Sequence, residues 1–391
     1  MTGPDDREFI VFGRPDIRES EIAEVEACLR SSWLGTGPRV QRFERDFASY
    51  KGTDPGRVAA VNSCTAALHI SLIAAGLGPG DEVITTPLTF CATVNAVVHA
   101  GATPVLADVD PTTMNISPEA VLRAVTPATK AILPVHFAGL PCDMDAVMAI
   151  ASDHGLKVIE DCAHAIESRH RGRECGTIGD FGCFSFYVTK NVVTGEGGMI
   201  IARSGDDATR ARVLALHGMS RDAWHRFSDS GYRHYSTVEC GFKYNMMDLQ
   251  AAIGIHQLAR VEENLAKREE QWGRYDDAFA DLPVTLPPGP GPDQRHSRHL
   301  YTLLVSRDTA GIDRDGFLEA MFDMGVGTGV HYLSIPEHPF YRQRFGWSPE
   351  DWPEAMRIGR ETVSIPLGGA LTNAQQERVI DSVRSVLCRE C

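Results

Sequence analysis

Between Val58 and Asp161, short apolar runs and helical segments take turns, and that alternation constrains the chain more than any other feature. Val58–Val61, Val83–Thr85, Pro104–Val109, Ala131–Val135 and Val158–Asp161 read as strands. Ala66–Leu72, Phe90–His99, Pro118–Ala124 and Met144–Ser152 read as the helices between them. Strands apolar throughout belong in a sheet covered on both faces, and the helices supply the crossovers that parallel strands need. The expectation is an α/β fold with a mostly parallel sheet. Ligands of such sheets gather beyond the carboxyl ends of the strands. Asn62, Thr85, Asp108, His136 and Asp161 stand at or just after those ends. No Gly-x-Gly-x-x-Gly opens a helix, which disfavours a dinucleotide-binding unit.

On the N-terminal side, residues 16–31 place Ile17, Ile22, Val25 and Leu29 at three- and four-residue spacing, an amphipathic helix. A second helix carries Val40, Phe43 and Phe47. The Gly35-Thr36-Gly37 turn between them is either punctuation or a loop whose backbone approaches a ligand. From Met246 a long helix is expected to run to Phe279. It links a large domain (1–265, including the N-terminal helical segment) to a smaller α+β unit (266–391). That unit holds a Pro/Gly-rich loop at 283–292, a strand at Leu300–Val305, a helix over 315–324, a segment Val326–Tyr332 leading to another strand, and a final helix over 372–387.

The net charge of −14 argues against sequence-independent nucleic-acid binding. It also means that an anionic substrate must be met by locally placed cations or helix N-termini. No apolar run approaches the roughly 20 residues that span a bilayer, and MTGPDDREFIVFG has no signal core. A cytoplasmic setting without membrane partners is the expectation. The ten cysteines then read as reduced, mostly buried thiols, with Cys388 and Cys391 a terminal tail.

Chemistry concentrates between Val158 and Ile200. Asp161 closes an apolar run, Phe184-Ser185-Phe186 leads into Lys190, and Gly195, Gly197 and Gly198 follow. A lysine set among apolar residues becomes a nucleophile toward aldehydes when its pKa falls. A carboxylate can keep a pyridine nitrogen protonated and so make a pyridoxal cofactor an electron sink. His164 and Phe90 are placed to flank such a ring. At Ser63-Cys64-Thr65-Ala66 a strand gives way to a helix, whose free N–H groups and dipole offer an anion seat. Each feature also has an ordinary reading. Lys190 could be a surface charge, Asp161 a buried acceptor, His164 a satisfied polar group, Phe90 a core side chain and Ser63 an N-cap.

Together with SSWLGTGPRVQRFERDFA, NSCTAALHISLIAAGLGPGDEVIT, TFCATVNAVVHAGATPVLADVD, PVHFAGLPCDMDAV, VIEDCAHAIES, GDFGCFSFYVTKN, GEGGMI, HGMSRDAW, YNMMDLQAAIGIHQL and VGTGVHY, these residues resemble the DegT/StrS family. Its members are pyridoxal-phosphate-dependent nucleotide-sugar aminotransferases. The likeness covers nearly the whole chain and is nearest the sugar 4-aminotransferase subset.

The resemblance implies the aspartate-aminotransferase-like type I fold and a homodimer with shared active sites. It implies pyridoxal 5'-phosphate on Lys190, with Asp161 at the ring nitrogen and His164 and Phe90 against the ring. Thr65 and Ala66, with Ser63 or Cys64 nearby, and Ser185 would take the phosphate. Two positions depart from the common pattern: His164, where many members have Gln, and Gly241-Phe242-Lys243-Tyr244-Asn245 in place of G-Y-N-Y-R. Either Lys243 or Asn245 would reach the partner's cofactor. The implied reaction moves an amino group from L-glutamate to a nucleotide-diphosphate 4-keto-6-deoxy sugar, such as dTDP-4-keto-6-deoxyglucose. Amination of a 3-keto sugar or a cyclitol, or cofactor binding without catalysis, are the alternatives. Thr36, His217, Arg221 and His331 are candidates for substrate contact.

Overall fold

The computed structural model describes residues 8–220 and 236–388. Helices α1 (Glu19–Arg30) and α2 (Pro38–Tyr50) lead. The expected alternation follows: β1 (Val58–Val61), α3 (Cys64–Ala74), β2 (Glu82–Thr85), α4 (Cys91–His99), β3 (Thr103–Leu106), α5 (Pro118–Ala124), β4 (Thr129–Leu133), α6 (Met144–His154) and β5 (Lys157–Asp161). Two short strands, β6 (Arg169–His170) and β7 (Arg173–Glu174), precede β8 (Phe181–Ser185), β9 (Gly198–Ala202) and α7 (Gly205–Ala215). The main sheet has the order β1-β9-β8-β5-β4-β2-β3. Only β9 runs against its neighbours. Every residue of β1 and β9 is buried, as expected of strands covered on both faces. Leu68, Ile70 and Leu214 pack on one side of the sheet; Val121, Met144 and Val147 pack on the other.

The chain continues through α8 (Asp248–Ala259), α9 (Val261–Phe279), β10 (Gln294–Arg295), β11 (Tyr301–Leu304), α10 (Arg307–Ala310), α11 (Arg314–Asp323), α12 (Pro339–Phe345), α13 (Pro353–Glu361), β12 (Thr362–Ile365) and α14 (Asn373–Leu387). Strands β11 and β12 pair antiparallel over a core that includes Trp272, Tyr275, Tyr301, Phe317 and Val379. Ile10, far away in sequence, joins this core. Among the described residues no helix is long and apolar enough to cross a membrane.

The structure corrects three expectations. The long helix breaks at Arg260 (φ −113°, ψ 15°) into α8 and α9. No Gly or Pro marks the break. Arg260 instead buries its guanidinium against the Glu21 carboxylate and donates to Asp16 O at 2.6 Å. The strand expected to follow Val326–Tyr332 does not come directly after it: α12 and α13 intervene before β12, and the segment itself makes isolated bridges of Val326 to Ile10 and of Gly329 to Ser364. Finally, α1 turns its apolar stripe outward: Ile22 and Leu29 are 52% and 53% exposed while Glu21 is 1% exposed. The buried Glu21–Arg260 pair fixes that orientation.

Two of the strand-end residues serve the fold. Asp108 caps α13, accepting from the Glu354 and Ala355 N–H groups at 3.1 and 2.9 Å. His136 Nδ1 accepts from Cys142 N, so its ring proton sits on Nε2, 3.1 Å from Glu160 Oε2. Glu160 also accepts from Gly176, Ile178 and Gly179 N–H at 2.7–2.8 Å. Burial opposes its charge, and the bonds from His136, Gly179 and Gly176 outweigh burial and hold its pKa below the ordinary carboxylate value. These four donors fill the carboxylate's acceptor sites. Replacing Glu160 by Ala orphans all four, so Glu160→Ala should cost about 3–5 kcal/mol in urea unfolding, against under ~1 kcal/mol for surface-exposed Glu26→Ala.

Candidate active site

The carboxyl ends of β1, β5 and β8 open onto one cavity of about 520 Å³. Past β1, Ser63 caps α3, its Oγ accepting from Ala66 N at 3.1 Å. This helix start lies tight against β9. A Cβ on Gly198 would sit 2.5 Å from Ser63 C and O, so only glycine lets the two backbones approach. Asp161 ends β5 and Ser185 ends β8. Lys190 follows in a turn closed by its own N–H to Tyr187 O at 2.9 Å. Gly195, at φ +81°, turns the chain back toward β9 in a conformation glycine adopts freely.

Of the expected residues, Ser63, Cys64, Thr65, Phe90, Asp161, His164, Ser185, Lys190 and His331 line this cavity. Ala66 stands just behind, its N–H committed to the Ser63 cap. Thr36 and Asn245 lie elsewhere. Asn245 Nδ2 donates to Thr36 Oγ1 at 2.7 Å, and the two line a separate cleft with Glu44 and Arg212. Lys243 and His217 are exposed and outside the cavity of their own chain. Arg221 lies outside the described residues.

Asp161 is buried and accepts from Thr93 Oγ1 at 2.9 Å and Ala163 N at 3.1 Å. Thr93 is in turn 2.8 Å from Thr89 Oγ1. Burial raises the Asp161 pKa, and the bonds from Ala163 and Thr93 and the nearby Lys190 limit the rise. Burial pushes the Lys190 ammonium down to about 8, with Cys64 and Asp161 pulling the other way. Nζ lies 3.5 Å from His299 Nε2. His164 Nδ1 accepts from Ala138 N at 3.2 Å, so its proton is on Nε2, which meets the Tyr332 hydroxyl at 2.8 Å. Burial and Lys190 hold His164 well below its usual pKa, and the same causes bring His331 to about 3. Both rings are neutral.

Thr93, Tyr332 and His299 escaped the sequence reading. Thr93 had a signal: it follows Thr89 by four residues, one helical turn, at the start of a helix. Tyr332 and His299 come from the C-terminal part of the chain, and only folding brings them here.

These groups fit pyridoxal 5'-phosphate. The Cys64 and Thr65 N–H groups at the start of α3 suit a phosphate, and the Asp161 carboxylate suits a protonated ring nitrogen. The buried Lys190 amine suits an aldehyde.

Comparison with known proteins agrees. The model of the DegT/DnrJ/EryC1/StrS aminotransferase family matches residues 15–384. Spore coat polysaccharide biosynthesis protein SpsC of Bacillus subtilis is 47% identical over 380 residues, covering 97% of each chain. The PLP form of the putative sugar aminotransferase Spr1654 of Streptococcus pneumoniae superposes with a TM-score of 0.90 at 30% identity, covering 97% of this chain and 99% of that one. DesI, solved in the presence of its TDP-sugar product, gives 0.86 at 31%, covering 98% and 94%. The chain belongs to the DegT/DnrJ/EryC1/StrS family and is a pyridoxal-phosphate-dependent sugar aminotransferase with the type I fold.

Proposed function

We propose that this aminotransferase moves the amino group of L-glutamate to a nucleotide-linked 4-keto-6-deoxy sugar, giving a 4-amino-4,6-dideoxy sugar. The observation that carries the reading is one cavity holding a buried lysine of lowered pKa, a buried carboxylate and a helix N-terminus. Bound there, pyridoxal 5'-phosphate supplies an aldehyde for the amino group and an electron sink for the Cα proton's departure. Lys190 Nζ takes the Cα proton of glutamate and later delivers one to C4 of the sugar, acting as base and then acid. A pKa of about 8 suits both duties near neutral pH. Asp161, oriented by Thr93 and Ala163, would pair with the ring nitrogen of the bound cofactor. Ser185 and the α3 start, with Ser63, Cys64 and Thr65, would hold its phosphate. Phe90 and the neutral His164 would flank its ring. His331 contacts substrate.

Support for a nucleotide sugar comes from the family and from DesI's TDP-sugar product. Histidine rather than glutamine at position 164 favours amination at C4, through the likeness to the 4-aminotransferase subset. Incubation with L-glutamate and dTDP-4-keto-6-deoxyglucose should give a product whose NMR spectrum places the amine on C4. An amine on C3 would overturn the regiochemistry. Lys190→Ala should lower turnover by at least ~10⁴-fold, and residual steady-state activity near wild type would remove Lys190 from its role.

We infer further that the enzyme works as a homodimer with shared sites. Among the described residues lining the cavity, Lys190 is the one formal cation, because His164 and His331 are neutral. A nucleoside diphosphate needs more positive charge than that. The exposed Lys243 is suited to supply it to a second copy. The outward stripe of α1, with exposed Trp33, Leu34 and Met247, offers the apolar surface such a copy would cover. Burying one such side chain is worth about 1.5–3 kcal/mol, so Ile22→Glu with Leu29→Glu should weaken association at least ~100-fold. Light scattering should then report a monomer, with activity lost at the same concentrations. A monomeric, fully active wild type would refute the arrangement.

A further inference from the structure

Lys190 has a partner that the proton transfers above leave unused. His299, just ahead of β11, brings Nε2 to 3.5 Å from Lys190 Nζ and Nδ1 to 2.9 Å from Asn191 Oδ1. The orientation of the Asn191 amide is determined by its other contacts. Nδ2 donates to Glu167 Oε2 at 2.8 Å and to Ser297 O at 3.1 Å, and the Ser297 carbonyl can only accept. Oδ1 therefore faces His299, and as a pure acceptor it draws the ring proton to Nδ1. The Nε2 lone pair is left pointing at the lysine.

The chain of contacts goes deeper. Glu167 is held by Arg268, which also donates to Ser297 O at 3.3 Å. His299, Glu167, Arg268 and Ser297 are all buried, with nothing more than 6% exposed. Burial and the Lys190 charge hold the His299 pKa far below its usual value. Burial and the neighbouring lysine thus favour the neutral ring.

We propose that His299 is a positioning residue. Its unprotonated Nε2 holds the Lys190 amine whenever the lysine is not joined to the cofactor. The Arg268–Glu167–Asn191 chain exists to keep that nitrogen an acceptor. The amine is thereby kept at the place from which it must collect one proton and deliver another. This rests on the reading of Lys190 as the lysine of the reaction. Asp161, Cys64, His164, His331 and Tyr332 also surround the amine, and they stay unchanged in the variants below.

An acceptor at Nζ favours the ammonium over the amine, so its loss lowers the lysine pKa. The test uses enzyme loaded with pyridoxamine 5'-phosphate, in which Lys190 is free. Acylation of Lys190 by acetic anhydride is followed by mass spectrometry against pH. The wild-type inflection is expected near 8. His299→Asn keeps a partner for Asn191 but is too short to reach Nζ. It should move the inflection down by roughly one unit and reduce kcat by about tenfold or more, with KM for the keto sugar little changed. His299→Gln, whose amide oxygen reaches the Nε2 position, should restore both. An unmoved or raised inflection in His299→Asn would overturn the proposal. In the unsubstituted enzyme, ¹⁵N NMR of labelled histidines should show His299 as the Nδ1–H tautomer up to high pH. An Nε2–H or imidazolium signature would equally overturn it, with no variant required. If pyridoxal 5'-phosphate fails to protect Lys190 from acylation, the assignment of Lys190 itself falls. Protection with an insensitive inflection removes only the role of His299.

Discussion

Two consecutive carboxylates at the end of β5 point to opposite faces of the sheet, and the rest of the structure depends on that pair. Side chains alternate along a strand, so burying Glu160 on one face commits Asp161 to the other. Glu160 gathers His136 from the loop after β4 and the N–H groups of Gly176, Ile178 and Gly179 from the loop before β8. It thereby ties the approach to β8 to the end of β5. Strand β8 in turn delivers Ser185 and, five residues on, Lys190. Glu160, which faces away from the cavity, thus braces the strand end that carries Asp161 and the approach to the strand that carries Ser185.

Charge in the cavity is handled by burial more than by pairing. The chain as a whole is strongly acidic, yet the site holds one amine whose ammonium is disfavoured and histidines that stay neutral. Hydrogen bonds then decide what each neutral ring presents. His164 takes a backbone N–H on Nδ1 and so presents a donor to Tyr332, whose hydroxyl proton is left free for the cavity. His299 gives its proton to Asn191 and so presents an acceptor to Lys190. Two histidines with ring centroids 4.4 Å apart are fixed as opposite tautomers by the different partners behind them.

Much of this was readable from the chain. Strands buried on both faces leave continuous apolar runs, and those runs placed β1 to β5 and the ends where Asp161 and Ser63 stand. Lys190 stood out because it lies between an apolar strand and three glycines, a setting that made the ordinary surface-charge reading weaker without removing it. What stayed hidden depends on contacts rather than on local pattern. The period of α1 announces an apolar stripe but not which way it faces; the buried Glu21–Arg260 pair turns it outward. The same pair marks the break between α8 and α9, where the hydrophobic period runs on undisturbed. Asp108 and His136 sat at strand ends as ligand residues do, but one caps α13 and the other braces Glu160.

The outward stripe of α1 and the cavity's shortage of cations belong to one physical problem. Thr36 and Asn245 are bonded to each other, and Asp248 N–H reaches Gly35 O at 3.1 Å, so the Gly-Thr-Gly turn after α1 is tied to the start of α8. Lys243, two residues before Asn245, is exposed, and so is the apolar stripe of α1. A second copy seated on the stripe would dock against this tied segment, and ordering the exposed Lys243 side chain would remain a cost of binding. Under the proposed shared arrangement, substrate charge is then matched by a cation whose own chain has no use for it. A global charge of −14 and an anionic substrate could coexist in that arrangement, because the compensating charge would enter the site with the partner.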